Sequence, residues 1–201
     1  MIMTVLLSAV AYLLGSISSA VLVCKFMNLP DPRREGSMNP GATNVLRIGG
    51  KVPALLTVVG DFFKGFLPVI IAKTMGLDFI ALGTIALAAF LGHLFSIFFK
   101  FQGGKGVATS MGCLMALAPI AGIMVGLCWF VVAFAFRYSS LAAVVSSILA
   151  PIAILIFGSK AIYQHAFGFM TLIILIYVLL IWRHLGNIKR LIAGTETKIV
   201  L

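Results

Sequence analysis

"VATSMGCLMALAPIAGIMVGLCWFVVAFAF", residues 107–136, is a run of thirty residues without a charge. As a single helix it would extend about 45 Å, too long for one upright crossing of a hydrocarbon layer of about 30 Å. Pro119 stands near its middle, between Ala118 and Ile120, with Gly112, Gly122 and Gly126 close by. Proline removes a helical hydrogen bond and disfavours helix in the residue before it. The run is either one long tilted helix or two short crossings, and the topology turns on which.

The rest of the chain sets the frame. Of 201 residues, 62% are hydrophobic, and mean hydropathy is +1.17. A soluble domain of this size has too little interior to hide so much apolar surface. Further apolar runs cover about residues 3–24, 52–72, 79–99, 141–158 and 165–182, each near the length a helical span needs. Period-two alternation is not visible, which argues against a barrel. The expectation is an all-α polytopic integral membrane protein, a single membrane-embedded domain over residues 1–201. Met1 to Met27 has no basic segment before its apolar run, so it reads as a first span that stays, not a cleaved signal. Cys24, Cys113 and Cys128 lie in apolar runs without paired spacing and read as small buried hydrophobes.

Charge chooses between the two topologies. The chain has 15 Lys and Arg against 5 Asp and Glu. With two crossings in residues 107–136, seven spans result. One side then carries Lys25, Arg33, Arg34, Arg47, Lys51, Lys100, Lys105, Arg137, Arg183, Lys189, Arg190 and Lys198, and the other only Lys73 and Lys160. With one crossing, Arg137 and the basic tail fall opposite Arg33 and Lys51. Positive charge gathers on the cytoplasmic side, so seven spans are expected, N-terminus out and C-terminus in the cytoplasm. Two helices of about 14 residues each would be short and would bend or thin the bilayer locally. The net charge of +10 is then membrane orientation, not a nucleic-acid footprint.

Four polar segments share that face. In "GSMNPGATNVLRIGGK", residues 36–51, Asn39 before Pro40 suggests an N-cap with proline at the first helical position. The helix would carry Ala42, Thr43, Asn44 and Arg47 and offer its N-terminus to an anion. Gly36 and Gly41 would let backbone approach a ligand, and Ser37 adds a hydroxyl. In "KFQGGKG", residues 100–106, Gly103, Gly104 and Gly106 surround Lys105; a phosphate nest or a tight turn with a topology lysine both fit. "RYSS", residues 137–140, sets Ser139 and Ser140 beside Arg137, as a helix cap also would. "RHLGNIKRL", residues 183–191, spaces His184 and Asn187 by three, with Arg190 one turn on; a basic helix on lipid headgroups has the same pattern. Asp61 and Lys64, three apart within a span, read equally as a structural ion pair or a functional one. His93 reads first as an interior histidine.

Together the segments place cations, donors and glycines on one membrane face with few carboxylates, Asp31, Glu35 and Glu196. That suits ligands carrying several phosphate oxygens. No metal site is expected, since a divalent ion would want carboxylate or His and Cys clusters.

These segments, with "GSISSA", "DFFKG", "LGHLF", "GGKGVAT" and "HLGNIKRLIAGTE", resemble in order and spacing the acyl-phosphate:glycerol-3-phosphate acyltransferase family of the PlsY type. One departure is "GSISSA", where many relatives have Pro and Gly in place of Ser18 and Ala20. The resemblance implies a seven-span fold in the bacterial inner membrane, with the site facing the cytoplasm. It implies acyl transfer from acyl phosphate to glycerol 3-phosphate, giving lysophosphatidic acid and phosphate, without a cofactor or nucleic acid, in the bilayer and beside other phospholipid-synthesis enzymes. It would place Ser37, Arg47, Lys105, Ser140 and His184 around glycerol phosphate. Ala42, Thr43 and Asn44, with Asn39, Gly41 and the glycines at 103, 104 and 106, would hold acyl phosphate. Ser139 and Arg190 would line the site, and Asn187 would orient the reacting groups. Lys105, His184, Asn187 and Arg47 would be the catalytic set. None of the three His has an Asp five residues on, as acyl-thioester-using glycerolipid acyltransferases carry. The proton acceptor is left between His184 and a substrate phosphate, with the phosphate favoured because no carboxylate is placed to orient a histidine. A transporter for a phosphorylated anion would need similar segments, but the opposite face has no polar motif and no internal repeat is evident.

Overall fold

The computed structural model describes residues 1–164 and 166–199. It is all-helical among those residues. The chain runs through α1 (Ile2–Ser16), α2 (Ser19–Phe26), α3 (Ala42–Gly49), α4 (Lys51–Thr74), α5 (Phe79–Leu94), α6 (Val107–Leu117), α7 (Pro119–Phe136), α8 (Ser139–Phe157), α9 (Lys160–Gln164), α10 (Ala166–Arg183) and α11 (Leu185–Ile192). Four helices, α4, α5 with the 3₁₀ turn after it, α7 and α8, are long and apolar enough to cross a membrane. The pairs α1/α2 and α10/α11, bent by 43° and 53°, bring the candidate spans to six if each pair is one span. Large apolar side chains face outward along them, Phe130 and Phe134 among the most exposed, as a lipid solvent requires.

The deciding run breaks where proline predicts. Ala118 leaves the helical region at φ −142°, ψ 85°, and Pro119 opens α7 at its first position. The chain then reverses. A Cβ on Gly122 would lie 3.0 Å from Cα of Met115, and one on Gly126 would lie 3.9 Å from Sδ of Met111. Neither contact is possible in a continuous helix, so α6 and α7 form an antiparallel hairpin. The two arms are unequal, 11 and 18 residues, where the sequence suggested similar halves. The short arm lies parallel to α4. Gly65 touches Thr109 and Cys113, Gly112 touches Phe62, and farther on Nζ of Lys73 donates to the carbonyls of Ala116 and Leu117 at 2.9 and 3.3 Å. Thus α6 starts level with the middle of α4 and ends level with its end.

The first apolar run is also broken, which hydropathy alone does not reveal. Ile17 is extended, and Ser18 caps α2 by accepting from the Val21 amide at 3.4 Å. The carbonyl freed at Ile17 accepts from Nζ of Lys64 at 2.7 Å, and Lys64 pairs with Asp61 at 2.8 Å. The pair therefore stitches a helix break, as the structural reading expected, while Asp61 also lines the central cavity, so the functional reading stands beside it. Cys113 donates weakly to the carbonyls of Gly65 and Ala86; it is packing, as expected.

Candidate active site

The short α6 has a consequence for chemistry. The loop before it, residues 100–106, is drawn down beside the middle of α4. Asp61 and Phe62 line the same cavity as Lys105. They lie ten or so residues past the start of α4, about 15 Å along its axis.

The cavity holds about 880 Å³, within the range of small-molecule sites. One end is polar. Lys105 donates from Nζ to Oδ1 of Asn187 at 2.5 Å. The other end of that amide donates to Glu196 at 2.6 Å, and Ser140 donates to the same carboxylate oxygen at 2.7 Å. Arg190 pairs with the second oxygen at 2.7 Å. His184 is buried, and its Nδ1 lies 2.8 Å from the Leu180 carbonyl. A carbonyl only accepts, so Nδ1 carries the proton, and in the neutral ring Nε2 is a free acceptor. Burial pushes the Lys105 ammonium down to about 8; Arg190, Arg183 and Arg47 push the same way, and Glu196 opposes them. For Glu196 burial works upward, but hydrogen bonds from Asn187, Ser140 and Arg190 outweigh it and hold the carboxyl below its usual range.

The opposite wall is α3. Arg47 lines it, in no ion pair among the described residues. The helix does not start as the sequence suggested. Its cap is Gly41, extended at φ −145°, and Asn39–Pro40 lies outside it. No side chain caps it, so the amides of Ala42 and Thr43 have no intrahelical acceptor, and both residues line the cavity. An uncapped helix start beside cations is a site for an anion.

Most of the expected residues converge here: Ser37, Asn39, Gly41, Ala42, Thr43, Asn44, Arg47, Lys105, Gly106, Ser139, Ser140, His184, Asn187 and Arg190 all line the cavity. Two do not. Gly103 and Gly104 lie outside it, and their backbone is not a nest. Their carbonyls accept from Arg183, at 2.8 Å for Gly103 and 3.1 Å for Gly104, and the Gly104 amide donates to the His93 carbonyl at 3.2 Å. A Cβ on either would overlap His93. They are clamped so that Lys105 alone projects. Asn44 lines the cavity but its amide is spent on folding: Nδ2 donates to the carbonyls of Pro32 and Glu35 at 2.9 Å each, and Oδ1 accepts from the Ser37 amide at 2.8 Å. It shapes the loop that presents Ser37.

The sequence reading missed Glu196 as a site residue. A contact with the tail carries it in: the Ile199 amide donates to the Arg137 carbonyl at 2.7 Å, and Nε of the Arg137 side chain donates to the Ile199 carbonyl at 3.3 Å. Local spacing gives no sign of that contact. It also missed the apolar half, where Val58, Phe62, Met111, Met115 and Leu127 line the cavity. Long apolar helices all look alike in sequence.

The fold and site define a class: a helical integral membrane protein whose cavity joins a cationic head to an apolar groove. A family model, Glycerol-3-phosphate acyltransferase, matches residues 5–194, and the chain belongs to that family. A glycerol-3-phosphate acyltransferase of Burkholderia cenocepacia is 51% identical over 199 residues, covering 98% of this chain and 92% of the relative. One from Burkholderia ambifaria is 52% identical over the same length. The crystal structure of PlsY, an integral membrane glycerol 3-phosphate acyltransferase, in its glycerol 3-phosphate form, superposes with TM-score 0.89 at 38% identity, covering 98% of this chain and 96% of that one. Its lysophosphatidic acid form gives 0.87 at 37% identity, covering 97% and 94%.

Proposed function

We propose that this protein transfers a fatty acyl group from acyl phosphate to glycerol 3-phosphate. The observation that carries the reading is the cavity's double character: anion donors from four chain segments at one end, a lipid-facing apolar groove at the other. Both substrates are phosphorylated and one is also a long apolar chain. The glycerol hydroxyl attacks the acyl carbonyl carbon; the new C–O bond forms as the bond to phosphate oxygen breaks and its electron pair leaves with phosphate. Acyl phosphate is an activated donor, so placement of two anions and stabilisation of charge are the protein's tasks. Lys105 and Arg47 offset the repulsion between the phosphates. The α3 amides and Thr43 hold the acyl phosphate, while Ser37, Ser140 and Arg190 hold glycerol phosphate. Asn187, fixed between Lys105 and Glu196, orients the carbonyl. The attacking hydroxyl gives its proton to the leaving phosphate, and Nε2 of His184 accepts a hydrogen bond from the second glycerol hydroxyl, which holds the glycerol in place. The chain acts as one domain in the bacterial inner membrane, crossing seven times with its N-terminus out and the site facing the cytoplasm. A transporter for phosphorylated anions is the weaker reading, since its relatives are named as acyltransferases.

The test is a reaction with purified protein. Glycerol 3-phosphate and hexadecanoyl phosphate should yield lysophosphatidic acid and phosphate one to one, and a hexadecanoyl thioester should not support turnover. Absence of product from the acyl phosphate sinks the reading; equal rates with the thioester sink the choice of donor.

A further inference from the structure

The hairpin of α6 and α7 narrows toward its closed end. At Gly122 the helices touch, and a Cβ there would press on Cα and N of Met115 at 3.0 and 3.2 Å. One turn nearer the polar head, at Gly126, a Cβ would meet only the Met111 sulfur, at 3.9 Å. Both glycines line the cavity, and Leu127 beside them is exposed on the lipid side. The gap between the arms is therefore a wedge, closed at Gly122 and Met115 and open toward Lys105 and sideways to lipid.

Resting on the acyl-transfer reading above, we propose that Gly126 is a specificity-determining residue: its absent side chain is the space through which the acyl chain of the donor runs. From Val107 to Met115 the groove follows α6 for about 12 Å. Extended carbon chain with bonds of about 1.5 Å covers that in about ten carbons. Carbons beyond the closure turn out into the bilayer, where their number is not read. Met111 and Met115 form an adaptable floor, since methionine fits irregular apolar shapes. The groove thus grips the first part of a fatty chain and ignores its end. A branched side chain at Gly126 fills the grip without touching the head.

The experiment compares wild type, Gly126→Ala and Gly126→Leu with butanoyl and hexadecanoyl phosphate. Gly126→Leu should lose about tenfold or more in kcat/KM for hexadecanoyl phosphate, the scale on which apolar pockets discriminate a misfit. For butanoyl phosphate, whose carbons stop short of Met111, the loss should be clearly smaller, and KM for glycerol 3-phosphate should be unchanged. Gly126→Ala, which has room for its methyl, should fold normally and show a smaller loss of the same selectivity. Equal losses with both chains, no loss with either, or a parallel rise in KM for glycerol 3-phosphate would each overturn the gauge. If wild type uses neither donor, the acyl-transfer reading fails, and the gauge falls with it.

Discussion

Lys105 is the residue on which the polar head depends. Two unit charges about 5 Å apart at an effective dielectric of 20 repel by roughly 3 kcal/mol, and an ammonium between them removes that penalty. Lys105→Ala should lower the rate on the order of 10²-fold or more while the protein still purifies folded. Lys105→Arg should rescue poorly, because a planar fork does not replace a compact ammonium in a loop where a Cβ on Gly106 would already overlap Phe90. Lys160→Ala, at an exposed position away from the cavity, should be silent. The pH dependence follows from burial. Lys105 is held down to about 8, and its cation is the working form, so kcat/KM, which reports the free enzyme, should fall as pH rises through about 8. Glu196 pulls that value upward, so Glu196→Gln should move the alkaline limb to lower pH. A profile flat to pH 10 would show that the charge on Lys105 is not needed.

At the scale of elements, the sequence was legible where one residue carries one backbone meaning. Pro119 marked a break and the break is there. Ser18 marks another, but a serine in an apolar run is equally at home inside a helix, so the kink between α1 and α2 could not be read. The glycine loop was ambiguous for a similar reason. A nest and a clamp use the same residues, and what decides is the approach of His93 and Arg183 from distant helices. Pro119 ends α6 at Leu117, but the partner of its last carbonyls was hidden, since Lys73 reaches them from another helix. Those carbonyls have no helical partners, and Lys73 supplies the donor at 2.9 and 3.3 Å. Lys73→Met should therefore destabilise the protein by about 1–3 kcal/mol, read as a lower melting temperature in detergent, with KM values little changed. Lys73→Arg, which keeps donors in reach, should recover most of it. An unchanged melting temperature for Lys73→Met would mean that water or lipid headgroups satisfy the end of α6 equally well.

For the whole molecule, charge asymmetry and the cavity are independent arguments for one topology. The positive-inside rule uses only where cations fall along the chain. The cavity uses contacts: Lys105 precedes α6, while Ser140, Asn187 and Glu196 all follow α7, and they meet within hydrogen-bond distance. A single passage through residues 107–136 would set those groups on opposite faces of the membrane. A hairpin returns the chain to the side it left, and both arguments then agree. Single cysteines replacing Arg34, Lys100, Tyr138 and Lys189 in a cysteine-free background should all react with an impermeant maleimide in inverted vesicles and resist it in intact cells. A cysteine replacing Tyr163, on the short stretch between α8 and α10, should do the reverse. Labelling of the Lys189 position from outside, with the Lys100 position labelled from inside, would refute the seven-crossing count. Such a result would also be incompatible with the Lys105–Asn187 contact, so the same five labels test the architecture of the site as well as the path of the chain.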